Sequence, residues 1–330
     1  MIAPLAKFID WSAIQVASVL IISARKCDRG NTKLAEAVEF LNGPKFIPPE
    51  SKPAELEFTS DIHFKFSSPR PCEFAENNVV HGRLYRCADD WQKRPVIILL
   101  HGGGNFPGHQ FRFHWLARHC HRAGFNAATL ELPYHFQRRV RRIEAFDHLR
   151  TAEAFAQAVA EIRALTGWLL GQGCPSVTLF GISLGGWFAG LTATRDTRLK
   201  AIVLAVPGVR RDYRVARGER ILWTPVRKAL ERYKAAREAL EKTPINLTLS
   251  QPVIPKENIL LVQGRYDLFV EPENTEDLWQ KWERPEIWRL PHGHISTVLM
   301  PGLTDRVLDW LAPRLNAPAG QKEQITISVR

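Results

Sequence analysis

Val177-Thr178-Leu179-Phe180-Gly181-Ile182-Ser183-Leu184-Gly185-Gly186 is an apolar run that ends in three glycines gathered around one serine. A short apolar run closed by glycine reads as a strand buried on both faces, and residues 187–194 beyond it have helical character. A serine in a tight turn between strand and helix needs neighbours without side chains, because the strained backbone packs closely on both elements. Gly181 and Gly185 meet that need. The turn also sets Ser183 at a helix N-terminus, where backbone N–H groups favour developing negative charge. A structural serine in a glycine turn is the plain alternative. The strand on one side and the helix on the other favour a nucleophile.

Upstream of this turn, residues 56–66 and 79–86 alternate and are β-rich, which predicts an antiparallel edge. Residues 96–100 are wholly apolar and 110–122 are helix-periodic; 126–132 then read as strand and 145–170 as helix. Downstream, 199–206 read as strand; after a break, 259–262 and 286–290 read as strands and 271–282 and 305–315 as helices. This rhythm predicts an α/β fold with a mostly parallel central sheet flanked by helices. The break at 207–255 is too long for a plain connection. Within it Leu222, Val226, Ala229, Leu230, Tyr233 and Leu240 recur at helical spacing, so it reads as a helical cap insertion. The expected organisation is an N-terminal helical extension over 1–50, a sheet domain over 51–206 and 256–320, and the cap over 207–255.

A serine hydroxyl is a poor nucleophile without a base in hydrogen-bond reach. His294, in Pro291-His292-Gly293-His294, follows the last strand and precedes the last helix, where a loop can return over the C-terminal edge of the sheet. His292 competes with it; Gly293 favours His294 because it permits close approach. An imidazole that becomes cationic needs a carboxylate on its other nitrogen. Asp267 follows a buried strand at the right edge, with Asp212 and Glu271 as alternatives. His101-Gly102-Gly103-Gly104 follows the strand 96–100, and its glycine N–H groups, with that of Leu184, could receive an oxyanion.

Strand-His-Gly-Gly-Gly, then Gly-x-Ser-x-Gly-Gly, then an aspartate and a histidine after later strands, resembles the α/β-hydrolase superfamily, whose chain order is Ser, Asp, His. The likeness spans about residues 79–315. It implies the α/β-hydrolase fold, with Ser183 as nucleophile, Asp267 as acid, His294 as base, and Gly103, Gly104 and Leu184 as oxyanion donors. The activity it implies is carboxylesterase- or lipase-like cleavage of an ester-like acyl bond, with acyl transfer, thioester cleavage or a non-catalytic binding role as alternatives. Aspartate-nucleophile members of the family are disfavoured by Ser183. No phosphate loop, dinucleotide fingerprint or metal-binding helix motif competes, so neither cofactor nor metal is expected.

The chain has 330 residues, 45% hydrophobic, with 45 basic against 34 acidic residues and a net charge of +11. That excludes large-scale disorder and biases the surface toward anionic partners. It does not indicate nucleic acid, for which no reading motif exists. Arg138, Arg139, Arg141 and Arg142, and Arg210, Arg211, Arg214, Arg217 and Arg220, follow strand ends and are expected near Ser183, where they would attract an anionic or lipid acyl ester or form a solvated rim. Five cysteines without a C-x-x-C pair suggest a reducing compartment, hence the cytoplasm. Residues 1–27 read as a helix with Lys7, Asp10, Gln15 and Ser18 on one side, and the opposite, apolar face is expected to dock on the domain, on a second subunit or peripherally on a membrane.

Overall fold

The structure, a computed structural model, describes residues 3–24, 33–48, 52–104, 107–140, 147–210 and 234–316. Nine strands form one sheet: β1 (Glu57–Phe58), β2 (His63–Ser67), β3 (Val79–Tyr85), β4 (Val96–Leu100), β5 (Asn126–Leu130), β6 (Val177–Ile182), β7 (Leu199–Ala205), β8 (Ile259–Gly264) and β9 (Glu286–Leu290). Their order is β1-β2-β3-β5-β4-β6-β7-β8-β9. β1, β2, β3 and β5 pair antiparallel, and every pairing from β5 through β4 to β9 is parallel.

The residue patterns explain this division. β4 and β6 are buried along their whole length because helices cover both faces of the parallel part. β3 alternates buried and accessible positions, as a strand near a one-sided edge does. On one face α5 (His148–Gly171) and α6 (Leu184–Ala193) pack through Phe155, Trp187, Phe188 and Leu191. On the other, α4 (Pro107–Arg122) and the helix Leu303–Asn316 pack through Phe113, Leu116, Val307 and Leu311.

The chain enters the sheet interior at β4, steps outward to β5, then returns past β4 to β6. The connections after β4 and β6 therefore diverge to opposite faces, and the crevice between their C-terminal ends is the topological switch point where α/β sheets bind ligands. Ser183 follows β6 there, and His101 follows β4.

Several predicted elements differ at their ends. α6 begins at Leu184 rather than 187, because packing overrides the poor helix propensity of Gly185 and Gly186. The predicted strand 56–66 is two strands, β1 and β2, joined by a turn. Among the described residues the helices α1 (Ala3–Ala24) and α2 (Leu34–Asn42) precede the sheet, and the short α3 (Ala75–Asn78) leads into β3. α1 buries Asp10, expected on its polar side, together with Ala6 and Ile14, while Lys7 of that side is exposed and so are Leu5, Phe8 and Trp11. Among the described residues no helix is long and apolar enough to cross a membrane.

Much of the cap lies outside the described residues. Its described part contains the helix Lys234–Leu240. Further along, Ile245, Leu247 and Ile254 join the hydrophobic core, and the indoles of Trp187 and Trp282 donate to the Ile245 and Leu247 carbonyls at 2.6 and 3.1 Å. The end of the expected insertion is thus anchored in the sheet domain itself.

Candidate active site

Ser183 has φ 54° and ψ −113°, left-handed geometry that a β-carbon makes costly. The strain is held from both sides. The Ser183 N–H donates to the Ala205 carbonyl at 2.9 Å, and the Ser183 carbonyl accepts from Trp187 and Gly208 at 3.0 and 3.1 Å. The flanking glycines are required by contact: a β-carbon on Gly181 would lie 2.3 Å from the Gly185 carbonyl oxygen, and one on Gly185 would lie 2.2 Å from that of Leu100.

The structure brings three distant residues together above this edge. His294 Nε2 lies 3.0 Å from Ser183 Oγ. His294 Nδ1 lies 2.7 Å from Asp267 Oδ2, so Nδ1 carries the proton and Nε2 is left to accept from the serine. The Asp267 Oδ1 atom accepts the N–H groups of Phe269 and Val270, both at 2.8 Å, which fixes the carboxylate against rotation. Ser183 is half-buried, whereas His294 and Asp267 are buried. Burial alone would lower the His294 pKa; the Asp267 charge and hydrogen bond, with a contribution from the Asp10 charge, override it and raise the imidazole above its ordinary value.

The competing residues fall away. His292 is bound through its backbone, accepting from Tyr266 and donating to Leu290, and its ring is not the one beside Ser183. Glu271 precedes the helix Pro272–Lys281 as its N-cap residue, buried, and Asp267 is the carboxylate on His294. Asp212 lies outside the described residues.

Of the expected oxyanion donors, Leu184 is the first residue of α6, and its N–H has no acceptor within the helix. Gly103 lies against Leu184: a β-carbon on Gly103 would stand 3.8 Å from that of Leu184. Gly104 is corrected: its N–H donates to His135 Nε2 at 3.2 Å and is committed there. His135 can accept because its Nδ1 donates to the Pro133 carbonyl at 2.8 Å, and burial holds the ring neutral by lowering its pKa.

His101 works in the same way, donating from Nδ1 to Gly102 at 2.7 Å and accepting the Leu132 N–H at 3.0 Å. The two rings contact edge to face at 5.0 Å. The sequence places His101 in the glycine motif and does not mark His135. In the structure His135 sits between Tyr134 and Phe136, both at positive φ, a backbone feature that the sequence does not announce. A cavity of about 240 Å³ adjoins His101, Phe113 and Phe136 and is lined by none of the three residues around Ser183.

The expected basic rim is partly corrected as well. Arg138 is fully buried, its guanidinium paired with both Glu161 oxygens at 2.6 and 2.7 Å and bonded to the Asn77 and Glu131 carbonyls. It is a structural cation that pins the segment carrying His135. Arg210 pairs with Asp277 at 3.0 Å. Arg139 is exposed, and Arg141, Arg142, Arg211, Arg214, Arg217 and Arg220 lie outside the described residues.

Comparison with known proteins agrees with this architecture. Residues 97–326 match the Alpha/beta hydrolase family. Uncharacterized proteins MT2702 and Rv2627c of Mycobacterium tuberculosis are each 29% identical over 245 residues, a match covering 69% of this chain and 55% of theirs. The chain therefore spans about half the length of these curated relatives. Among solved structures, the Pyrococcus furiosus esterase PF2001 superposes with a TM-score of 0.54 at 16% identity, covering 79% of this chain and 92% of that one. Acetyl xylan esterase 1 from Thermoanaerobacterium sp. JW/SL YS485 gives a TM-score of 0.56 at 14% identity, covering 86% and 94%. At these identities the likeness is one of fold.

Proposed function

The chain belongs to the alpha/beta hydrolase family, and on that premise we propose that it is a serine hydrolase that cleaves an ester-like acyl bond through an acyl-Ser183 intermediate. One observation carries the reading. A serine held at positive φ between a strand and a helix has a histidine nitrogen 3.0 Å from its oxygen, and that histidine has a buried carboxylate 2.7 Å from its other nitrogen.

In this reading Ser183 Oγ attacks the substrate carbonyl carbon while His294 Nε2 takes its proton. The electron pair displaced onto the carbonyl oxygen meets the N–H groups of Leu184 and Gly103. Collapse of the tetrahedral species breaks the bond to the alcohol, which leaves with the proton from His294. Water then attacks the acyl-serine with His294 again as base, freeing the acid and restoring the hydroxyl. Asp267 holds the imidazole in its Nδ1–H form and stabilises its cation.

The substrate in this reading is a small acyl ester. The esterases among the structures of similar fold support that class and select no particular acid or alcohol. The insertion after β7 is proposed to cap this edge. The exposed Leu5, Phe8 and Trp11 of α1 are proposed as a contact surface.

A panel of p-nitrophenyl esters of graded acyl length tests the proposal, with kcat/KM followed against pH. The base works only when neutral, so activity is present above the His294 pKa and is lost as pH falls through it. Because that pKa is raised, the acid limb is expected above the ordinary histidine value of 6.5. Turnover of no ester in the panel, or an acid limb below that value, would contradict the proposal.

A further inference from the structure

Asp10 has no role in the reading above, yet its carboxylate is one of the most deeply buried charges in the molecule, with 0% exposure. It reaches the site from α1, whose buried positions Ala6, Asp10 and Ile14 recur every four residues along one face. Asp10 Oδ2 accepts the His294 N–H at 2.6 Å and the Leu268 N–H at 3.1 Å, while Oδ1 accepts the Ile295 N–H at 2.9 Å.

These three donors belong to two separate segments. Leu268 directly follows Asp267. His294 and Ile295 open the short helix His294–Val298, where the first N–H groups have no acceptor of their own. The seat is built for this contact: a β-carbon on Gly293 would stand 2.6 Å from Asp10 Oδ2 and 3.0 Å from the Ala6 carbonyl oxygen. The close approach that Gly293 permits is therefore the approach of α1. The match to the family begins at residue 97, so α1 lies outside the shared part.

We propose that Asp10 is a positioning residue for the His294 base: from the N-terminal helix, one carboxylate ties together the segment carrying the acid and the segment carrying the base. The proposal rests on the assignment of Ser183, His294 and Asp267 above. Asp10 acts in two ways. Its hydrogen bonds fix the His294 backbone relative to Asp267, so the imidazole meets Ser183 Oγ in line. Its charge adds to that of Asp267 in favouring the imidazolium formed during the reaction.

The groups facing His294 are Asp267 at Nδ1, Ser183 at Nε2, the Phe269 ring at 4.9 Å and Asp10 behind the backbone N–H, with half-buried His292 two residues before it. The Asp10 pKa is itself raised, by burial first and by the Asp267 charge, while its three backbone hydrogen bonds oppose the rise.

Asp10→Asn tests this, because the amide keeps the shape and loses the charge. The readout is the rate at which a fluorophosphonate probe modifies the full-length protein, measured against pH, since attack by Ser183 needs the same neutral base and no known substrate. Loss of a negative charge lowers the His294 pKa, so the acid limb is expected to move down by about 0.5–1 pH unit. The limiting rate is expected to fall on the order of tenfold to a hundredfold as the base loses alignment. Ser12→Ala, on the same helix, removes an exposed hydroxyl that bonds only the Phe8 carbonyl at 2.9 Å and is expected to match the wild type in both respects.

An acid limb in Asp10→Asn that coincides with the wild-type limb overturns the proposal. Equal labelling of wild type and Ser183→Ala overturns the underlying assignment instead, so the two failures are distinct. If Asp10→Asn does not fold, amide exchange in the wild-type protein decides. The N–H groups of Leu268, His294 and Ile295 are expected to be strongly protected, and exchange at the rate of exposed loop amides contradicts the proposal.

Discussion

Ester turnover in Ser183→Ala is expected to fall by about 10⁴- to 10⁶-fold, and His294→Ala and the double variant are expected to reach the same residual rate. The reason is that the two side chains perform one step. His294 Nε2, 3.0 Å from Ser183 Oγ, has no proton to take once the hydroxyl is gone, and the hydroxyl is inert without the base. Additive losses would mean that each residue acts alone, contrary to the proposed mechanism. Asp267 stands one step back, so Asp267→Asn is expected to lower kcat on the order of 10⁴-fold by permitting the wrong imidazole tautomer while leaving KM nearly unchanged. Steady-state kinetics on an ester that the wild type accepts measures all four variants.

Gly185→Ala is expected to damage both stability and activity, although it adds one methyl group. The new carbon would stand 2.2 Å from the Leu100 carbonyl oxygen and 2.6 Å from that of His101. Both obstacles are backbone at the end of β4, so the strain falls on the spacing between α6 and the glycine segment after β4. Overpacking of this kind costs about 2–3 kcal/mol, which corresponds to a Tm lower by roughly 3–4 °C in a protein of this size. The same displacement separates the Leu184 and Gly103 N–H groups, and kcat is expected to drop on the order of a hundredfold or more. Gly171→Ala is the matched control, because a β-carbon there meets nothing within 4 Å. It is expected to melt at or slightly above the wild-type temperature. Thermal unfolding beside kinetics separates the two outcomes, and a Gly185→Ala protein as stable and active as wild type would contradict the packing argument.

Much of the sheet was legible because burial on both faces leaves a mark along the chain. β4 and β9 coincide with their predicted spans, since an apolar or alternating run there begins and ends at turn residues. Ser183, Asp267 and His294 were legible for a related reason. Each follows a recognisable strand on the edge where connections converge, so their meeting follows from topology.

What remained hidden depends on partners far away in sequence. Helical periodicity places Asp10 on the polar side of α1, because it assigns carboxylates to solvent; the donors that bury it lie more than 250 residues downstream. The arginine cluster after β5 places Arg138 in a basic rim, and nothing near it in the chain announces Glu161 on α5 as its buried counterion. The donation from Gly104 to His135 was hidden likewise, since it requires the relative placement of the segments after β4 and β5.

The central claim is that Ser183 is a nucleophile activated by His294. Peptide mapping by mass spectrometry, after treatment of the native protein with a fluorophosphonate, tests it most directly. One adduct is expected, on Ser183, formed by the wild type and lost in both Ser183→Ala and His294→Ala. An adduct elsewhere, or labelling of Ser183 that proceeds undiminished without the imidazole, would contradict it.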